Sequence, residues 1–371
     1  MMKVLFVFGT RPEAIKMAPL IKEFQKYPDK FETTICVTAQ HRQLLDQVLD
    51  FFDIKPDYDF NIMKKNQTLF DITVSILDKI HKTLNEVKPD IIFVQGDTTT
   101  TFVGALSGYY KKIKVAHLEA GLRSGNKYSP FPEEINRTLA GHLSNYHFAP
   151  TKNAKENLLK EGIKENIFVV GNTVVDALFL GLDILKEETE GKYIDYFKFI
   201  DFSKKIILVT GHRRESFGTP FENICYSLRE LANEHKDIEI VYPVHLNPNV
   251  QEPVMRILKN KSNIHLIEPL EYPYFLWLMN KCYLILTDSG GIQEEAPSLG
   301  KPALVMREVT ERMEGIELGT SKLVGTNKEK IIKETSLLLT NKEEYRRMAK
   351  RSNPYGDGKT SKRIIKILTR D

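Results

Sequence analysis

Short β-branched and aromatic runs alternate with amphipathic helical segments along the whole chain, and no other feature constrains the fold as tightly. Strands separated by helices require crossover connections, which is the pattern of a parallel sheet. Two series of strands can be read. The first comprises KVLFVFG from Lys3, TTICVTA from Thr33, DIIFVQG from Asp90, KVAHLEA from Lys114, YHFAPT from Tyr146 and IFVVGN from Ile167. The second comprises IILVTG from Ile206, IEIVYPVH from Ile238, IHLIEP from Ile264, CYLILTD from Cys282 and PALVMRE from Pro302. Between them runs GLDILKEETEGKYIDYFKF, charged and helical, without strand signal. A chain of 371 residues also exceeds one ordinary core. The expected architecture is therefore α/β, with two Rossmann-like parallel-sheet domains facing each other across a cleft. The border is expected near Gly171 to Asp176, with residues 1–172 in the first domain and 173–353 in the second.

Composition narrows the functional classes. Hydrophobic residues at 42% and charged residues at 27% describe a globular chain, and a net charge of +4 gives no footprint for nucleic acid. Cys36, Cys225 and Cys282 lie in apolar stretches without C-x-x-C spacing, as buried thiols in a reducing compartment would. No apolar run approaches the ~20 residues that cross a bilayer. The first strand begins at once, with no basic n-region or cleavage site. The expected location is the cytoplasm, with no membrane or nucleic-acid partner. No metal is expected, because the histidines show no H-E-x-x-H or other ligand spacing. No cofactor is expected either, since Gly9-Thr10-Arg11 lacks the rest of a G-x-G-x-x-G fingerprint. Gly358-Lys359-Thr360 imitates a Walker A ending, but Asn353 stands where that loop needs its first glycine.

In a parallel sheet the loops after the strands gather at one edge, where open α/β folds bind ligands. Here those loops are rich in arginine, histidine, carboxylate and glycine. Asp288-Ser289-Gly290-Gly291 ends a strand and opens a helix, so its glycines would admit a phosphate to backbone N–H groups. A Ser N-cap with a tight turn accounts for the same residues. Glu295, one helical turn on, could accept from a ribose diol or simply favour the helix start. Arg11 at the first strand end can fork onto a phosphate, whereas Lys16 fits a surface pair with a neighbouring acid at least as well. Asp97, Glu119 and Glu133 bring three carboxylates to one edge, as proton removal and delivery would need. The alternative is that they pair with Arg123, Arg137 and Lys127. His212 is a candidate proton carrier or diphosphate donor, or a capping group in a loop shared with Arg213 and Arg214.

Taken together, GTRPEAIKMAPL, TAQHRQLLDQ, GDTTTT, HLEAGLRSG, PEEINR, GHRRESFG, VYPVHLNPNV, LTDSGGIQEEAPSLGKP and NPYGDG resemble the non-hydrolysing UDP-N-acetylglucosamine 2-epimerases nearly end to end. The resemblance implies a glycosyltransferase-B type fold, a homodimer, and reversible conversion of UDP-N-acetylglucosamine to UDP-N-acetylmannosamine for cell-surface polysaccharides. It implies catalysis by Asp97, Glu119 and Glu133, with His212 beside the diphosphate. UDP contacts would fall on Arg11, Lys16, Ser289, Gly290, Gly291 and Glu295. A second, activating sugar nucleotide would meet Gln40, Gln43 and His245, and Asn66 stands where the family's arginine is expected. The C-terminal helix within 354–371 would cross back onto the first domain; its other reading is a basic helix capping the second. A glycosyltransferase of the same fold, or a sugar-nucleotide sensor without turnover, are the competing functions.

Overall fold

A computed structural model describes residues 1–39, 42–64, 66–349 and 353–369. Its contacts divide the chain into two units, one formed by Met1–Leu180 with Tyr355–Asp371 and the other by Gly181–Pro354.

The first unit is a seven-stranded sheet in the order β3-β2-β1-β4-β5-β6-β7, parallel throughout. Its strands are β1 (Met2–Phe8), β2 (Phe31–Val37), β3 (Tyr58–Asp59), β4 (Ile91–Gln95), β5 (Lys114–Leu118), β6 (Tyr146–Ala149) and β7 (Ile167–Val169). Helices α1 (Arg11–Phe24), α2 (Arg42–Phe51), α3 (Leu69–Val87), α4 (Thr99–Tyr110), α5 (Glu133–Leu143) and α6 (Lys152–Lys160) connect them. Residues Val4 to Phe8 and Ile92 to Val94 are wholly buried, because helices cover both faces of a parallel sheet and leave no polar side for the strands to show. Phe6, Phe24 and Phe93 meet with ring centroids 5.1–5.5 Å apart at the centre of one face.

The second unit repeats the plan with six parallel strands in the order β10-β9-β8-β11-β12-β13. These are β8 (Lys205–Thr210), β9 (Ile238–Pro243), β10 (Ile264–Ile267), β11 (Leu284–Thr287), β12 (Ala303–Val305) and β13 (Ser321–Leu323). The strand order reverses between β1 and β4 in one sheet and between β8 and β11 in the other. A crevice opens at such a switch point, because neighbouring connections leave in opposite directions. Gly96-Asp97 and Thr10-Arg11 end one such pair of strands; Gly211-His212 and Asp288-Ser289 end the other.

The strands β3 and β13 have no counterpart in the sequence reading. Each is two or three residues long at a sheet edge, too short for any alternation to show. The last helix, Thr360–Leu368, packs against α1, and the N–H groups of Thr360 and Ser361 donate to Asp176 at 3.2 and 2.8 Å. Asp176 thus caps a helix 184 residues away along the chain. The Walker-like Gly358-Lys359-Thr360 is the turn that opens this helix.

His117 of β5 and His147 of β6 are register partners inside the sheet, 0% and 3% exposed. His117 donates from Nε2 to the Gly96 carbonyl at 2.7 Å. Burial pushes His117 down to about 3 and His147 down to about 4, from an ordinary 6.5. Below 6.5 the unfolded chain takes up protons that the folded chain refuses. The stability these residues contribute is intact above that pH and is lost as pH falls through about 4 and then about 3. Denaturant unfolding at a series of pH values should show stability falling by up to about 1.4 kcal/mol per pH unit for each histidine, and His117→Gln should remove one proton's share of that slope.

Candidate functional site

In the first unit the turn after β1 is closed by Glu13, a fully buried carboxylate from the first turn of α1. It accepts from the N–H groups of Gly9 and Thr10 at 3.0 and 2.8 Å, and from the hydroxyl of Thr98 at 2.7 Å. Burial raises its proton affinity, and these hydrogen bonds oppose the rise. One acid therefore locks the turn that carries Arg11 to the turn that carries Asp97.

Asp97 is bound by Arg137 of α5, whose Nη1 lies 3.4 Å from Glu134. Glu134 also accepts from the N–H groups of Ser124 and Gly125 at 3.0 Å, which braces the loop between β5 and α5. Glu133 heads α5, half-buried, with no hydrogen-bond or ion-pair partner among the described residues. Of the pairings weighed from sequence, Arg137 with Asp97 is present. Arg123 instead holds Glu161 at 2.6 Å, and Lys127 lies over the Tyr128 ring.

Glu119 follows β5 with φ +61°, in the left-handed region that non-glycine residues seldom occupy. Its Oε2 accepts from Lys16, from Gln95 at 3.2 Å and from Asn172 at 2.9 Å. Lys16 is buried, so its pairing is with a site carboxylate and not with a surface acid. A cation and two amide donors on one oxygen favour the ionised carboxylate.

In the second unit Asp288, 1% exposed, accepts at Oδ2 from the N–H groups of His212 and Arg213 at 2.6 and 2.8 Å. His212 Nδ1 lies 3.6 Å from its Oδ1, and the imidazole stacks on His245 at 5.1 Å. Burial lowers the proton affinity of His212; Asp288 works against this, while His245 and Arg213 add to it. Ser289 occupies the N-cap position of the helix Gly290–Glu295, yet its hydroxyl makes no capping bond.

The two glycines of that turn differ. A Cβ on Gly290 would stand 2.8 Å from the guanidinium carbon of Arg312, whereas one on Gly291 would meet only ordinary contacts, the nearest at 3.8 Å from Glu295. Arg312 is buried and pairs with Glu294 at 2.9 Å and Glu311 at 3.3 Å. Arg307 continues the chain to Glu311 at 2.9 Å and Glu215 at 2.7 Å. Burial opposes ionisation of Glu311, but Arg312 and Arg307 hold it at about 2. This row of charges ties the loop after His212 to the Gly290–Glu295 helix. Sequence reasoning passed over Arg312, Gln95, Asn172 and Glu13; Arg312 sits in a polar run away from any strand end, and the two amides carry no charge to mark them.

Of the residues expected to meet a second ligand, Gln40 lies outside the described residues. Gln43 is exposed on α2, and His245 is exposed beside His212. Asn66 is exposed with φ +58° before α3. Among the described residues no helix is long and apolar enough to cross a membrane.

A family model described as UDP-N-acetylglucosamine 2-epimerase matches residues 22–369. The chain is 56% identical to the UDP-N-acetylglucosamine 2-epimerase of Escherichia coli strain K12, across 99% of this chain and 98% of that protein. It is 57% identical to the enzyme of that name from Yersinia pestis, with the same coverage. Among solved structures, UDP-GlcNAc 2-epimerase from Neisseria meningitidis, bound to UDP-GlcNAc, superposes with a TM-score of 0.95 at 52% identity and full coverage of both chains. The Methanocaldococcus jannaschii enzyme, in complex with UDP-GlcNAc and UDP, gives 0.84 at 39% identity, again with full coverage of both.

The contrast between the glycines is testable by denaturation. Gly290→Ala must displace the paired Arg312 guanidinium and should cost about 1–3 kcal/mol, whereas Gly291→Ala should stay within about 0.5 kcal/mol of the parent.

Proposed function

This chain belongs to the UDP-N-acetylglucosamine 2-epimerase family, and from that premise we propose that it interconverts UDP-N-acetylglucosamine and UDP-N-acetylmannosamine by eliminating UDP and adding it back. The observation that carries this reading is the pair of carboxylates Asp97 and Glu119 after the adjacent strands β4 and β5, each held by a buried cation.

A proton on C2 of a sugar is too weakly acidic to be removed alone. Its loss has to accompany departure of the leaving group from C1, as positive charge grows on the ring. One acid among Asp97, Glu119 and Glu133 takes the C2 proton. The C–H electron pair becomes the C1–C2 double bond, and the C1–O bond breaks with its electrons passing to UDP. The product of this step is 2-acetamidoglucal. A second acid of the set then returns a proton to C2 from the opposite face, and a UDP oxygen re-forms the bond to C1. No co-reactant is consumed.

Arg11, His212 and the amides of Ser289 to Gly291 are assigned to the diphosphate, where negative charge develops. Lys16 acts here through Glu119, and Glu295 is assigned to the ribose. Gly291 supports the assignment: packing does not demand a glycine there, but close approach of a phosphate to its N–H would. The substrate-activator role of Gln40, Gln43 and His245 stays with the same proposal. So does a homodimer. Phe70 and Val74 on α3 are 83% and 64% exposed, and Ile135 and Leu139 on α5 are about as exposed as each other at 40% and 41%. Each pair is spaced by four residues on one helix face, and α4 packs against both helices.

Incubation with UDP-N-acetylglucosamine alone in deuterated water should place deuterium at C2 and yield the manno epimer without net release of UDP. Glu119→Gln should slow the exchange by about 10²–10⁴-fold. A C2 proton left untouched in the parent protein would overturn the reading and favour a transferase that needs an acceptor. Gly291→Ala should weaken UDP binding by roughly 10-fold, about 1.4 kcal/mol, in calorimetry. Phe70→Asp with Val74→Asp should shift the sedimenting species from dimer to monomer; an unchanged species would remove α3 from the interface.

A further inference from the structure

The turn Gly171-Asn172 follows the edge strand β7 and holds no charged or nucleophilic group. Asn172 is nonetheless 2% exposed, and its polar atoms are committed in three directions. Oδ1 accepts from the N–H of Val174 at 3.1 Å, which fixes which end of the amide is oxygen. Nδ2 therefore faces Glu119, donating to Oε2 at 2.9 Å. The backbone N–H donates to the carbonyl of Tyr355 at 2.5 Å, the residue where the chain rejoins the first unit. Gly171 packs the same joint. It has φ +97°, and a Cβ would stand 2.7 Å from Thr360 Oγ1 and 3.1 Å from the Tyr355 carbonyl.

The donors around Glu119 divide their work. Lys16 supplies charge, but a lysine ammonium is a point charge on a flexible stem and fixes no direction. An amide anchored at its other end does fix direction, and adds no charge that would further lower the basicity of the acid. We propose that Asn172 is a positioning residue that sets the orientation of the Glu119 carboxylate, and that the segment returning at Tyr355 holds Asn172 in place for that purpose. The proposal rests on the reading of Glu119 as one of the acids that handle the C2 proton.

Asn172→Asp is the discriminating variant. It keeps the acceptor for Val174 and the backbone bond to Tyr355, and replaces only the donor facing Glu119 with a second carboxylate. A neighbouring like charge raises the proton affinity of an acid. The acidic limb of the kcat profile should therefore move up by about one pH unit or more, and kcat should fall at least ~10-fold. UDP affinity should stay at the parental value. Asn172→Ser retains an oxygen for Val174 but is too short to reach Glu119. It should lower kcat and move the acidic limb up by less than Asn172→Asp does, since one hydrogen bond to the carboxylate is lost and no like charge is gained, and it carries the test if the aspartate variant fails to fold. Folded variants that both turn over at the parental rate with an unmoved profile would sink the proposal. Carbon-13 titration of glutamate-labelled protein, with the Glu119 signal assigned through Glu119→Gln, reads the same coupling without turnover. An upward shift in Asn172→Asp shows that position 172 faces the Glu119 carboxylate, as the proposal requires, even if the parent shows no C2 exchange, and no shift overturns the proposal. Absence of exchange in the parent would count against the reaction alone.

Discussion

In each sheet the turn after the first strand is closed by a carboxylate buried at the switch point, and the rest of the site depends on these two closures. Glu13 gathers the N–H groups of Gly9 and Thr10 with the hydroxyl of Thr98. Asp288 gathers those of His212 and Arg213. Turn backbone cannot be buried with its N–H groups unsatisfied, so the acid lets two strand ends approach without water between them. It also fixes where the next side chain leaves the sheet: Arg11 and Asp97 in one unit, His212 and Ser289 in the other. The two units are unrelated in detail and reach this solution with acids from different places, one in a helix and one at a strand end.

Beyond the closures the two edges are charged differently. In the first, strand-end carboxylates are each paired with a cation, Lys16 on Glu119 and Arg137 on Asp97. In the second, the row Glu215, Arg307, Glu311, Arg312, Glu294 alternates in sign, three acids with two arginines between them, and the turns present backbone N–H groups, a histidine and arginines. The first edge thus offers carboxylates, and the second offers anion donors.

Much of this was legible in the sequence because it is written in charged residues at strand ends. The long strands announced themselves by apolar content, and Asp97 and Glu119 stood out as carboxylates at strand ends. Lys16 was harder, since its burial depends on a partner 103 residues away. Ser289 was ambiguous because an N-cap and an anion site use the same residue type; it stands at the N-cap position, and its hydroxyl makes no capping bond. The edge strands β3 and β13 could not be read, since two or three residues carry no period.

What the sequence withheld has a common physical character. Asn172 and Gln95 are neutral, and a neutral group acquires a role only through distance and direction. Asn172 lies 53 residues from the acid it touches, and nothing local marks it. Gly290 and Gly291 are adjacent and identical in type, yet one is required by the Arg312 guanidinium and the other by nothing in the protein. A residue whose type packing does not explain, at a turn whose backbone is already closed by a buried acid, is best explained by what binds there.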